Sequence, residues 1–212
     1  MKRLIIVIIF CVLLIILLSP AFWTWVYKGS ITQAEGVSLL KFVSIAGDYN
    51  IFIDNDFLGK VQNKQEKVFT GIKPGKRILK VHRVSDFEDF YFTFSREVNF
   101  MPFTQVELEW EAGPTLESSN GVLKYFTESS KLDTTELVID TFPADCIVYI
   151  NDQIVQNRFI EITEPTEQYI RVSHTDRYVQ KDFKILLINP NTNEIPKNIR
   201  LNIEVYLYKR PI

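Results

Sequence analysis

Residues 44–55, SIAGDYNIFIDN, align without a gap with residues 141–152, TFPADCIVYIND, at an offset of 97. A segment that occurs twice describes a unit that folds twice, so the 212 residues divide into two small domains of one kind. The correspondence continues further along. RILKVHR (77–83) matches YIRVSHT (169–175) once a loop is shortened in the second copy, and VELEW (106–110) matches IEVYL (203–207).

Both copies read as strands. Leu201, Ile203, Val205 and Leu207 alternate with Asn202, Glu204, Tyr206 and Tyr208, which places the first set inward and the second outward; Val106, Leu108 and Trp110 repeat the inward pattern. The 16 Phe and 9 Tyr, interspersed with β-branched residues, favour the same reading. Lys73-Pro74-Gly75 and Asn189-Pro190-Asn191 mark turns, and Asp54-Asn55-Asp56 and Asn151-Asp152-Gln153 fall where a strand must reverse. Asp and Asn tolerate left-handed backbone and bond nearby amides, so these residues read as hairpin turns. A calcium loop would need further oxygen ligands. The pattern predicts an all-β chain of two tandem small antiparallel β-sandwich domains.

Thr141, Pro143, Val148, Tyr149, Ile150 and Asn151 in the second copy, with Ser44, Ile51, Phe52, Ile53 and Asp54 in the first, fit one family pattern, Ser-x-Pro-x-Gly-Ala-x-Val-Tyr-Ile-Asp-Gly. FLGK (57–60) and GIKPGKRILKV (71–81) fit its later elements. Over residues 37–111 and 135–208 the chain resembles the PEGA domain, an extracytoplasmic β-sandwich repeat. Its first turn departs from the pattern, reading Ala46-Gly47-Asp48-Tyr49 and Pro143-Ala144-Asp145-Cys146. The resemblance implies a core position for the aromatic at Tyr149 and partners that are proteins or cell-wall material.

Ahead of the repeats, Lys2 and Arg3 precede an uncharged run from Leu4 through Tyr27. At about 1.5 Å per residue such a helix crosses a hydrocarbon core of about 30 Å, with Trp23, Trp25 and Tyr27 at the far interface. A cleavable signal is the rival, with Leu4–Leu18 as its apolar region and Ser19-Pro20-Ala21 as small residues near a cleavage site. Continued apolarity past Ala21 favours a retained anchor. The expected division is a cytoplasmic terminus (1–3), a transmembrane helix (4–27), a juxtamembrane segment (28–36), a first sandwich (37–111), a linker with one strand (112–134) and a second sandwich (135–212). Cys11 in the span and Cys146 beyond it cannot bridge, so stability rests on packed sheet. The 24 Lys and Arg less Lys2 and Arg3 leave 22 cations against 26 Asp and Glu without long runs, which gives no nucleic-acid footprint.

No catalytic, cofactor-binding or metal site emerges from the residues. His82 with Ser85 and Asp86 lacks a nucleophile elbow, and His82 and His174 lie in different copies. Glu107 and Glu109 share an outward strand face with no cleft for glycoside chemistry. Aromatics are the better candidates. Six Phe and one Tyr crowd residues 86–103; Phe90, Phe92 and Phe94 are expected on one strand face, leaving Phe87 or Tyr91 at the surface. Tyr91, Tyr206 and Tyr208 are the candidate partner-binding residues, since exposed tyrosines are favoured anchors.

The expectation is a non-catalytic binding or spacer module of the cell envelope, held on the membrane and engaging an envelope protein or cell-wall polymer. The alternatives are a carbohydrate-binding or weakly hydrolytic envelope protein, which needs a flat exposed aromatic pair, and an accessory subunit of a membrane assembly. The charge pattern predicts the N-terminus in the cytoplasm and the repeats outside. Protease added to intact spheroplasts should digest both repeats, and full protection would reverse that topology.

Overall fold

The computed structural model describes residues 36–87, 90–129, 134–175, 177–187 and 196–210. The expected membrane segment 4–27 and the turn Asn189-Pro190-Asn191 lie outside the described residues. Among those described, no helix is long and apolar enough to cross a membrane.

The chain is all-β. The first copy supplies β1 (Ser38–Ser44), β2 (Tyr49–Ile53), β3 (Asp56–Val61), β4 (Glu66–Ile72), β5 (Gly75–Arg83), β6 (Phe94–Phe100) and β7 (Gln105–Glu111). After β8 (Asn120–Glu128), the second copy supplies β9 (Thr135–Phe142), β10 (Ile147–Ile150), β11 (Gln153–Ile154), β12 (Phe159–Ile162), β13 (Glu167–Ser173), β14 (Lys181–Leu186) and β15 (Ile199–Tyr206). One sheet runs β12-β9-β15-β8-β7-β1-β4; two four-stranded sheets run β3-β2-β5-β6 and β11-β10-β13-β14. The two copies therefore share one topology: β4-β1-β7 with β3-β2-β5-β6 is repeated as β12-β9-β15 with β11-β10-β13-β14. Strand β8 has no counterpart among the described residues.

The hairpin turns follow from their residues. Asp54 and Asn55 have φ of 51° and 74°, and Asn151 and Asp152 have 49° and 65°. Two consecutive left-handed residues make the two-residue hairpin whose twist matches its strands, and Asn and Asp reach that region at least cost. The first side chain of each turn also caps a neighbouring strand. Asp54 Oδ1 accepts from Ile78 N–H at 2.8 Å, and Asn151 Oδ1 accepts from Tyr169 N–H at 2.9 Å.

Three expectations change. The sheets are not wholly antiparallel, because β1 pairs parallel with β7 and β15 parallel with β9. Six reversals separate the first and last strand of each copy, so the last returns in the direction of the first. The match of 77–83 with 169–175 is one residue out: Ile53 pairs with Leu79 and Ile150 with Ile170, which makes Leu79 and Ile170 equivalent. A one-residue shift exchanges the two faces of a strand. Tyr149, expected in the core, lies on the outer face of β10, under the Arg171 guanidinium at 5.5 Å, while Val148 and Ile150 enter the core.

Residues 120–128, assigned from sequence to the linker, bind the halves together. Strand β8 pairs antiparallel with β7 on one side and β15 on the other. Leu123 packs in one core with Leu40, Phe42, Leu79 and Leu108; Val122 packs in the other with Leu137, Ile139, Val172 and Val205. Consecutive strand residues point to opposite faces, so the two cores lie on opposite faces of the large sheet. Near its middle both faces are covered.

Trp110, Gly121, Tyr206 and Phe142 form one row across β7, β8, β15 and β9. The Trp110 and Tyr206 rings meet edge to face at 5.1 Å, Phe94 lies 4.7 Å from Trp110, and Phe142 stacks on Tyr206 at 4.6 Å. Gly121 makes this possible, since a Cβ there would fall 2.5 Å from the Trp110 ring and 2.4 Å from the Glu109 carbonyl oxygen. Gly121→Ala should destabilise the protein by about 1–3 kcal/mol through overpacking. Hydrogen exchange should show β7 and β15 losing protection together; loss confined to β7 would mean the copies open independently.

Candidate functional site

Chain direction alternates from strand to strand, so the connections gather at two ends of the plate. Val37, the two hairpin turns, Lys73-Pro74 and residues 101–104 lie at the end where β1 begins. Residues 45–48, 62–65, 84–87, 90–93 and 112–119 lie at the other, called here the far end.

At the far end the β5–β6 connection carries two exposed aromatics, Phe87 at 74% and Phe90 at 53%, with Val84 also exposed. The strand expected to carry Phe90, Phe92 and Phe94 on one face does not form over 90–93. Phe94 begins β6 and is buried, whereas Phe90 is not on its face. The charges of DFEDF interrupt the apolar alternation that a half-buried strand needs.

The base of this loop is firmly held. Val84 N–H donates to Asp48 O at 2.8 Å and Phe92 N–H to Gly113 O at 2.7 Å. Arg83 Nη1 donates to Ala112 O at 2.8 Å, and its guanidinium lies 4.1 Å from the Tyr91 ring centre. Gly47, at φ +91°, permits that approach, because a Cβ there would fall 2.5 Å from Arg83 Nε. Below it, the buried Tyr49 hydroxyl donates to Ala46 O and accepts from Ala112 N–H, both at 2.8 Å. Burial pushes the Tyr49 phenol pKa up. Lys60 holds the Asp48 carboxyl below its usual range, helped by Asn63 N–H. Gly47, Asp48, Arg83, Ser85 and Tyr91 line a shallow cleft beneath Phe87.

Of the tyrosines expected at a contact surface, Tyr91 is half-buried at this cleft. Its ring meets Phe90 at 86°, edge to face, so the pair is not a flat platform. Tyr208 is half-buried, and its carbonyl accepts from Val179 N–H at 2.8 Å. Tyr206 is not outward. It is 4% exposed, because β15 is covered on both faces and its supposed outer side meets the first core.

Glu204, also expected outward, is 1% exposed. Its Oε1 accepts from Arg96 Nε at 3.0 Å, Arg96 Nη2 at 2.9 Å and the Tyr125 hydroxyl at 3.3 Å; Oε2 accepts from the Tyr206 hydroxyl at 2.7 Å. Burial, then the nearby Glu204 charge, pushes the Tyr125 pKa up to about 12 and that of Tyr206 higher still. Both phenols therefore remain donors. On the opposite face Glu109 accepts from Lys181 Nζ at 2.7 Å, and Glu107 from Lys124 Nζ at 3.2 Å, so the solvated pair expected from sequence is drawn into contacts with β14 and β8.

His82 lies half-buried in β5, and Ser85 Oγ accepts from Phe87 N–H at 3.2 Å, a local turn contact. His174 Nε2 sits 3.1 Å from Asp145 Oδ2 in the second copy. Among the described residues no group of three or more His, Cys, Asp or Glu side chains converges as a metal site. Residues missed by sequence reasoning are Arg83, which props the loop, and Phe103, which is 82% exposed at φ +60°. Neither conformation has a local signature. No protein-family model matches the chain, and no curated protein matches it.

Arg96→Ala would leave the buried Glu204 carboxylate with tyrosine donors alone. It should cost about 2–4 kcal/mol, less than a fully buried pair because Arg96 is partly exposed. Urea denaturation would measure this, with Glu204→Gln recovering part of the loss in the Arg96→Ala background.

Proposed function

We propose that this chain is a non-catalytic, membrane-tethered module of the cell envelope, in which two PEGA-like sandwiches form one stiff plate outside the membrane. The far-end loop engages a protein partner. The observation that carries this reading is the exposure of Phe87 and Phe90 on a loop whose base is tied by three hydrogen bonds to two other connections. Exposed aromatics on a held scaffold are the usual anchors of protein contacts, because little ordering entropy is lost on docking. The expected anchor at residues 4–27 would tether the plate to the membrane and raise the loop's effective concentration toward partners held there.

The edge-to-face Phe90–Tyr91 pair disfavours sugar stacking at this loop, so the carbohydrate reading ranks second. No residue needs to act as acid, base or nucleophile.

Full-length protein carrying Phe87→Ser and Phe90→Ser should lose capture of its envelope partner by roughly 5- to 30-fold per anchor, at about 1–2 kcal/mol each. Its melting temperature should stay unchanged. Undiminished capture with an intact fold would place the binding face elsewhere. Saturable hydrolysis of wall glycan, lost in His82→Ala, would overturn the non-catalytic reading.

A further inference from the structure

The plate end opposite that loop bears an apolar feature with no role in the fold. In the β6–β7 connection Met101-Pro102-Phe103-Thr104, Phe103 has φ +60°, a left-handed conformation that a bulky residue seldom adopts. Strain of this kind is ordinarily offset by packing, yet the ring is 82% exposed. Val37, beside it, is 51% exposed, and Pro102 is exposed as well.

Much of the backbone around Phe103 is paired within the protein. Phe103 N–H donates to Val37 O at 3.1 Å, Thr104 N–H to Met101 O at 3.3 Å, and Leu39 N–H to Thr104 O at 3.0 Å. The Thr104 hydroxyl donates to Met101 O at 2.9 Å, and the Ser38 hydroxyl donates to the same oxygen. Each such pair lowers the cost of taking the apolar tip out of water.

The occupant follows from where the chain goes. Residue 37 continues N-terminally through nine residues, 28–36, to the apolar run 4–27. Nine extended residues reach at most roughly 32 Å, so a membrane-held run keeps the β1 end of the plate near the lipid. We infer that Phe103, with Val37 and Pro102, forms a second membrane contact, inserting into the headgroup and upper acyl region of the bilayer. Aromatic and apolar side chains suit that interface, where headgroups and water still meet open carbonyls. Two contacts, one covalent tether and one inserted ring, would orient the plate and direct the Phe87 loop away from the surface.

This inference rests on the membrane-anchored reading, and the experiment separates the two. Full-length protein carrying Cys11→Ser and Cys146→Ala is combined with Phe103→Cys or Phe87→Cys, spin-labelled, and incorporated into vesicles of phosphatidylethanolamine and phosphatidylglycerol. Flotation of the protein with the vesicles tests the anchor. Collision with aqueous nickel chelate and with lipid-soluble oxygen then tests depth. The label at position 103 should be several-fold less accessible to nickel than that at position 87, and more accessible to oxygen. Equal nickel access at both positions in floated protein would overturn the inference and leave the anchor standing. Shielding of position 103 from both probes would overturn it in favour of a protein cover, and failure to float would overturn both readings. As a second variant, Phe103→Asn suits the left-handed backbone, so its melting temperature in detergent should not fall, while the orientation of the plate on vesicles should broaden.

Discussion

The contact of Trp110 with Tyr206 across Gly121 is the constraint on which the rest of the structure depends. Each ring belongs to the last strand of its copy, and β8 lies between them. Any side chain at position 121 would hold the rings apart, since even a Cβ meets the Trp110 ring at 2.5 Å. With glycine there, Phe94, Trp110, Tyr206 and Phe142 close into one aromatic cluster that spans both copies. The large sheet is then continuous, and loss of this cluster would reach both cores, because Leu123 and Val122 serve one each from consecutive positions.

Polar groups reinforce the same junction from both faces. The edge strand β6 of the first copy reaches over β8 to place Arg96 on Glu204 of β15; the edge strand β14 of the second reaches over β8 on the other side to place Lys181 on Glu109 of β7. These contacts are reciprocal in topology, the sixth strand of one copy clasping the seventh strand of the other. They differ in burial. Glu204 is 1% exposed with four donor contacts, whereas the Glu109 side chain is 44% exposed. An ion pair of the second kind contributes little, while breaking one of the first kind strands a charge. The aromatic cluster and Glu204 share Tyr206, so apolar and polar parts of the junction stand or fall together.

What was legible in the sequence was local or periodic. Asp54-Asn55 and Asn151-Asp152 identify their turns because left-handed backbone selects those residue types directly. The inward set Leu201, Ile203, Val205 and Leu207 is likewise buried as its spacing predicts. Tyr206 and Glu204 were misread because period two reports that one face of a strand is apolar, not that the other is wet; a strand covered on both faces can still bury a polar alternate if a partner such as Arg96 arrives from afar. Tyr149 and the one-residue slip at β13 share a cause, since adjacent aromatic and aliphatic residues leave the face ambiguous until pairing fixes the register. Arg83 and Phe103 had no signal at all, their roles arising from a ring 4.1 Å away and from a backbone angle.

Strand β8 also decides which way the copies point. Two repeats joined by a tight turn would run antiparallel, and their equivalent loops would lie at opposite ends. One interposed strand, antiparallel to both β7 and β15, restores a common direction, so both hairpin turns come to the end where Val37 begins β1. A strand of nine residues such as β5 spans about 30 Å at about 3.3 Å per residue. In the proposed setting that length, rather than any flexible tether, fixes how far the Phe87 loop stands from the lipid. Strand β8 thus gives the two copies one direction and one continuous sheet, and Gly121 lets it lie between their last strands.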